Sequence, residues 1–272
     1  MTRIPILTYH PMNISGNSYD SNDHVALATD LELLSRNAIN VVSLHAVVDA
    51  LLVGELASLG RCVAITFDDG SNFDYFDLPH PTWGLQRGML TILSDAARSQ
   101  RAATLEATSF VIVSPEARGE LDRKCMIGAQ WWTDDWWAVS ERSGRLKIES
   151  HSWDHNHDAL DATVTAAHKG TFDIARLDDA DREIADANHY LCTTRGRPGP
   201  VLFAYPYGQA SAYVSGKYFP RGQHLHGVKA AFTTAGSPVD AASDRWLIPR
   251  FVCGWHWKSA DELDHLLRTC SR

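Results

Sequence analysis

Several things are scarce in this sequence, and each scarcity removes a class of explanation. Its five cysteines are Cys62, Cys125, Cys192, Cys253 and Cys270, and no two form a CxxC pair. An odd, scattered set excludes a zinc ribbon and a CxxC redox centre, and it argues against a disulfide framework in a chain of 272 residues. Basic charge is also short, with 25 Lys+Arg against 33 Asp+Glu, a net charge of −8 and a pI of about 5.9. That balance lacks the electrostatic footprint of a nucleic-acid binder. Long apolar runs are missing too. The most apolar window, 38–53, is interrupted by Asn40, Ser43, His45 and Asp49, so no transmembrane segment is expected. The opening Ile4-Pro5-Ile6-Leu7 is too short for a signal-peptide core. The expectation is a soluble, cytoplasmic protein as the chain stands, with a trimmed secreted or periplasmic form as the alternative. Neither internal repeats nor low-complexity linkers interrupt the chain.

What is present suits a folded enzyme-sized unit. Apolar residues make up 44%, enough for a core. The length fits one domain spanning 1–272, a size at which α/β barrels form. Short apolar, β-branched runs read as strands: Ile4–Thr8, Val41–Leu44, Val63–Phe67, Ser109–Val113, Leu146–Glu149, Val201–Ala204, Lys229–Phe232 and Trp246–Ile248. Helical patterns fall between them at Asp30–Ala38, Gly84–Arg98, Thr133–Glu141, Phe172–Cys192 and Ser259–Arg268. The charged 172–192 segment reads as a solvated outer helix. Alternating strands and helices predict an α/β fold with a parallel sheet, and eight strands favour a (β/α) barrel. The stretches 114–130 and 205–228 read as irregular, wall-forming loops.

Three segments carry chemistry. In Val63-Ala64-Ile65-Thr66-Phe67-Asp68-Asp69-Gly70 an apolar strand ends in two carboxylates and a glycine. Such a pair can divide its work, one carboxylate on a cation and the other handling protons, or it can simply make an Asx-type turn. In Glu149-Ser150-His151-Ser152-Trp153-Asp154-His155-Asn156-His157, His151 and His155 are spaced to share one face of a helical turn. Two imidazoles and a carboxylate are a common set for a catalytic divalent metal. His157 is read as exposed. In Phe203-Ala204-Tyr205-Pro206-Tyr207-Gly208 a rigid proline and a permissive glycine can aim the Tyr207 N–H into a cavity, or form a plain aromatic turn.

Together these stretches resemble the polysaccharide deacetylase family (NodB homology, carbohydrate esterase 4). Thr66–Gly70 is similar to its TFDDG motif, His151–His155 to its H-S/T-x-x-H motif and Phe203–Gly208 to its third motif. Leu7-Thr8-Tyr9-His10 is similar to the start of many members. The resemblance implies a distorted (β/α) barrel and a divalent metal, Zn2+ above others, on Asp69, His151 and His155. It implies Asp68 as general base and hydrolysis of N-acetyl groups on an amino-sugar carbohydrate. The Tyr207 N–H would then face the oxyanion.

The chain departs from the family pattern in two places. Many members carry an arginine where this chain has Ala204, and Arg250, at the end of a strand-like run, is the candidate to supply that charge. The late Leu-x-His context is absent, and His256 in Gly254-Trp255-His256-Trp257 is the candidate general acid, with His10, His224 and His226 as rivals. Tyr207, Trp246 and Trp255 are candidate substrate contacts. The Trp131-Trp132-Thr133-Asp134-Asp135-Trp136-Trp137 cluster is read as core packing before sugar stacking. The partner expected is an N-acetylated carbohydrate. An amidase on a small non-sugar amide and a catalytically silent carbohydrate-binding barrel are the alternatives.

Overall fold

Short parallel strands alternate with helices in the computed structural model, which describes residues 2–100, 105–197 and 201–270. The strands are β1 (Ile6–Tyr9), β2 (Asn40–Val41), β3 (Cys62–Phe67), β4 (Leu78–His80), β5 (Gly84–Gln86), β6 (Ala107–Val111), β7 (Leu146–Ser150), β8 (Val201–Ala204), β9 (Val228–Phe232) and β10 (Phe251–Val252). The helices are α1 (Asp23–Arg36), α2 (Leu44–Val53), α3 (Met89–Gln100), α4 (Pro115–Cys125), α5 (Trp137–Ser143), α6 (Leu177–Ala180), α7 (Ala187–Thr194), α8 (Phe219–His226) and α9 (Ala260–Cys270). The main sheet runs β10-β1-β3-β6-β7-β8-β9 with β2 on the side of β3, and every pairing in it is parallel. A parallel bridge from Ile248 to Phe232, just before β10 pairs with β1, ties the two edges of the curled sheet together. The result is a distorted (β/α) barrel.

Strand alternation divides the core in two. Ile6, Ala64, Phe110, Leu202, Ala204, Ala230 and Phe232 pack together with α2. Their neighbours Leu7, Val63, Ile65, Val201 and Phe203 pack toward α1, α3, α7 and α9. Side chains that point alternately to two covered faces explain why the strands read as unbroken apolar runs. Thr8 and Thr66 are exceptions, buried and hydrogen-bonded to each other at 2.9 Å. That face leads directly to Asp68.

Local structure corrects the sequence expectations at several points: the strand expected at Val41–Leu44 ends at Val41, with Leu44 opening α2, and the helices expected from Thr133 and Phe172 begin at Trp137 and Leu177. The 114–130 stretch is largely helix α4, capped by the Ser114 side chain with Pro115 in its first turn. The 205–228 stretch likewise contains α8. Gly84–Gln86 is a strand pairing antiparallel with β4, so helix α3 begins only at Met89. The last strand is Phe251–Val252, not Trp246–Ile248. No helix among the described residues is long and apolar enough to cross a membrane.

Candidate metal centre and active cleft

The carboxyl ends of the parallel strands build a cleft of about 320 Å³. His10 and Met12 follow β1, Asp68 and Asp69 follow β3, and His151, His155 and His157 follow β7. Tyr205, Tyr207 and Gly208 follow β8, Thr234 follows β9 and Trp255 follows β10. Larger cavities of about 670 and 760 Å³ lie elsewhere, but the residues of all three sequence motifs converge here. Polar groups gather at this end because strand backbones stop pairing there and the loops are free to vary.

Asp68 extends the alternation of Ala64 and Thr66, and its N–H still donates to the Tyr9 carbonyl at 3.1 Å. Arg250, just before β10, reaches it across β1, the strand between β10 and β3. Its Nη1 and Nη2 donate to Asp68 Oδ1 and Oδ2 at 2.7 and 2.8 Å, and Nη1 also reaches Thr66 Oγ1 at 3.2 Å. Arg250 is fully buried, with its guanidinium over the Phe110 ring. Burial alone would raise the Asp68 carboxyl, but Arg250, His151 and His10 outweigh it and hold Asp68 down to about 2. The charge absent at position 204 thus comes from Arg250.

Asp69 faces the two histidines. Its Oδ1 lies 3.7 Å from His151 Nε2 and 4.0 Å from His155 Nε2, and the three donor atoms fall within 4.8 Å of one another. His151 Nδ1 pairs with the Ala204 carbonyl at 2.9 Å. A carbonyl only accepts, so Nδ1 carries a proton and Nε2 is the ring nitrogen turned toward Asp69. Burial, reinforced by His151, His157 and His10, lowers His155 well below the usual histidine range and keeps it neutral. Two imidazoles and one carboxylate, with their donor atoms converging, are a set that fits a divalent cation.

The spacing of His151 and His155 does its work without a helix. Ser152, His155 and Asn156 all have positive φ, at 70°, 64° and 43°, so the segment is a strained turn. Asp69 (74°) and Tyr207 (57°) are strained in the same way. Five of the seven non-glycine residues with positive φ among those described therefore lie in the site segments, each costing about 1–3 kcal/mol. Glycine is needed beside them. A Cβ on Gly70 (φ +76°) would stand 2.8 Å from Val111 Cα, and one on Gly208 (φ +67°) would stand 2.0 Å from Thr234 Oγ1.

Two supports were not legible from the motifs. Trp132 Nε1 donates to the Asp69 carbonyl at 3.1 Å, so one member of the tryptophan cluster walls the cleft. Trp136 and Trp137 are buried core, as expected. The Glu183 carboxylate accepts the Trp153 and Asp154 N–H groups at 3.0 and 3.3 Å, clamping the histidine turn. Glu183 is fully buried, so one of the charged residues of the 172–192 segment, read as a solvated outer helix, faces inward. Burial, then the neighbouring Asp154, pushes its carboxyl well above the usual range.

Other sequence candidates part company. His157 lines the cleft, half-buried, where exposure was expected. Trp255 lines it too and is 67% exposed. Trp246 does not line it: it is buried, stacked on Phe219 and covered by the Arg245 guanidinium. His256 also falls outside. The turn at 253–257 presents Trp255 to the cleft and carries His256 to a separate cavity beside Arg3 and Gly236. There its Nδ1 accepts the Val252 N–H at 2.8 Å. Of its rivals, His226 is buried, bonded to Phe219 O and Val228 N, and His224 is an exposed residue of α8. His10 alone of the four stands in the cleft. Its backbone N–H donates to Asp23 Oδ2 at 2.7 Å, and its buried ring Nδ1 has no hydrogen-bond partner.

Residues 57–218 match the sequence profile of the polysaccharide deacetylase family. The chain belongs to that family. It is a carbohydrate N-deacetylase, of a family whose members depend on a metal ion. No curated protein matches this deacetylase in sequence. Among solved structures it is similar to Streptococcus pyogenes deacetylase PplD in complex with acetate, at 19% identity and TM-score 0.67, covering 98% of both chains. IcaB from Ammonifex degensii gives 18% identity and TM-score 0.66, again with 98% of both chains covered. A de-N-acetylase from Aggregatibacter actinomycetemcomitans gives 15% and 0.64, covering 97% of this chain and 99% of that one. At such identities the likeness concerns the fold. Arg250 and His10 lie outside the profile match, and tertiary structure delivers His10 to the deacetylase cleft and Arg250 to the buried side of Asp68.

Proposed function

We propose that this single catalytic unit, residues 1–272, hydrolyses the N-acetyl group of an amino sugar within a glycan, with Asp69, His151 and His155 holding one divalent metal ion, Zn2+ by preference. The reading is carried by one observation: those three donors converge beside a carboxylate, Asp68, that a buried arginine keeps ionised. Imidazole with carboxylate suits zinc and admits other first-row ions. A cation held there supplies Lewis acidity toward the acetyl carbonyl and the attacking water.

The chain's own residues supply the rest. Asp68 accepts the proton of the attacking water. Arg250 occupies one lone pair on each of its oxygens, leaving others free for that proton. The Tyr207 N–H, set by the strained turn before Gly208, faces the oxyanion as the carbonyl becomes tetrahedral, a contact typically worth about 3–4 kcal/mol of barrier. We assign the proton donated to the leaving amine to His10, in place of His256. Arg250 acts on substrate only through Asp68. Trp255, exposed at the rim, offers a flat face to a sugar ring.

The test combines composition with turnover. The purified protein should carry about one transition metal per chain, lost in Asp69→Ala and in His151→Ala. Zinc-loaded protein should release acetate from N-acetylglucosamine oligomers. Metal retained in both variants, or a loaded protein that releases no acetate from any N-acetylated glycan, would overturn the assignment.

A further inference from the structure

The seam between β7 and β8 is thin. Among the described residues, Ser150 with Phe203 is its only registered pair, against five between β6 and β7 and four between β8 and β9. Val201 N donates to the Gly227 carbonyl at 2.9 Å and Tyr205 N to the Phe232 carbonyl at 3.0 Å, so these residues turn their backbone toward β9. Leu202 and Ala204 therefore turn theirs toward β7, as alternate residues of a parallel strand do. Two β7 side chains meet them there. Glu149 Oε2 accepts the Leu202 N–H at 2.7 Å, and His151 Nδ1 donates to the Ala204 carbonyl at 2.9 Å. We propose that Glu149 is a positioning residue of the metal centre: it replaces the ladder that β7 and β8 lack, and so fixes the Ala204 carbonyl that orients His151. The inference rests on the reading of His151 as a metal ligand.

The two contacts form successive rungs. Glu149 and His151 are two residues apart on one face of β7, and Leu202 and Ala204 are two apart on β8. Only Phe203, itself buried, separates the backbone that Glu149 holds from the carbonyl that holds His151. A displacement of Leu202 therefore passes to Ala204 over a single residue. The histidine ring is oriented by the hydrogen bond at its other nitrogen, so whatever fixes that carbonyl also aims Nε2 at the cation.

A side chain serves as a rung only if it is itself held, and Glu149 is held from several elements. It is fully buried. Its Oε1 accepts from Arg197 Nη2 at 2.7 Å and meets His45 Nε2, from α2, at 2.8 Å, while Oε2 lies 3.3 Å from Arg195 Nη1. Both arginines lie between α7 and β8 and are anchored in turn. Arg195 Nη1 donates to the Ile148 carbonyl at 2.8 Å, and Arg197 reaches Glu141 at 3.1 and 3.3 Å. Charge-assisted contacts of this kind are short and stiff, so the carboxylate has one place to sit.

Two variants separate the roles of Glu149 as anion for the arginines and as acceptor for Leu202. Glu149→Gln keeps the length and an acceptor oxygen but loses the charge. Glu149→Asp keeps the charge but is one methylene too short for Leu202 N. Zinc affinity is measured by competition with a chromophoric chelator, and the His151 tautomer by 15N NMR of the metal-free protein, with folding checked by circular dichroism. Wild type should carry a proton at His151 Nδ1. Glu149→Gln should keep that tautomer and a zinc affinity within a few-fold of wild type. Glu149→Asp should show mixed tautomers and bind zinc about tenfold more weakly, as when the partner of a metal-bound histidine is disturbed. The reverse ranking, or equal affinities in all three proteins, would refute the positioning role and leave the metal reading intact. Should Glu149→Gln fail to fold, Glu149→Asp decides alone, and an unchanged affinity refutes the proposal. A wild-type protein that binds no zinc would refute the metal reading instead, while the tautomer, read without metal, would still decide whether Glu149 holds that ring.

Discussion

Replacing Arg250 by methionine leaves a charge with nowhere to go. Asp68 and Arg250 are both buried and joined by two hydrogen bonds of 2.7 and 2.8 Å. Removing one member of such a pair costs about 3–5 kcal/mol, because the survivor keeps its desolvation penalty and loses its partner. For a chain of this size that lowers the melting temperature by on the order of 10 °C. The linkage has a definite sign. Asp68 is held at about 2 against an ordinary 3.8, so the pair's contribution is fully present above about pH 4 and is lost as pH falls toward 2. In wild type that slope is worth roughly 2 kcal/mol. Arg250→Met should abolish it and reduce acetate release, because nothing then holds the base ionised and in place. The double variant Asp68→Asn with Arg250→Met should recover most of the stability and none of the activity. Arg250→Lys should fall between, since an ammonium keeps the charge but not the fork. Thermal unfolding from pH 2 to 8, run beside acetate release, is the assay. An Arg250→Met protein as stable as wild type at pH 7, with unchanged turnover, would refute the reasoning.

Four further outcomes follow from the geometry. His10→Ala should lower kcat by about 10²- to 10⁴-fold while His256→Ala stays near wild type, and the reverse ranking in an acetate-release assay would return the acid role to His256. Chelation of the metal should abolish turnover and lower the melting temperature, with both restored by added zinc; calorimetry with and without chelator reads the second effect directly. Gly208→Ala should destabilise by about 2 kcal/mol or more in chemical denaturation, since the added Cβ meets Thr234 and the backbone is left-handed. Asp30, buried under Tyr9, Tyr19 and Trp257, is raised to about 6 by burial, against an ordinary 3.8. Its folded form therefore prefers the proton, and stability should decline by roughly 3 kcal/mol as pH rises from about 4 to 6; Asp30→Asn should flatten that decline in pH-resolved unfolding.

Much of this protein is written locally. The apolar, β-branched runs that become β3, β7 and β8 show themselves because buried parallel strands demand such runs, whatever packs on them. The motif residues Asp68, Asp69, His151, His155 and Tyr207 are legible because each sits just past a strand, where side chains face the cleft. Helix α4 was obscured by its charged, glycine-containing sequence, although Ser114 and Pro115 mark its start. Other features belong to no short stretch of sequence. That Arg250 pairs with Asp68, 182 positions away, depends on the ring of strands bringing β10 beside β1 and β1 beside β3. The turn at 253–257 decides that Trp255 enters the cleft and His256 leaves it, and the packing of Trp132 with α4 residues Ala117 and Leu121 places a core indole behind Asp69. Periodicity and turn chemistry act over a few residues and can be read along the chain. Which distant groups become neighbours is set by the closure of the sheet, and only the folded molecule records it.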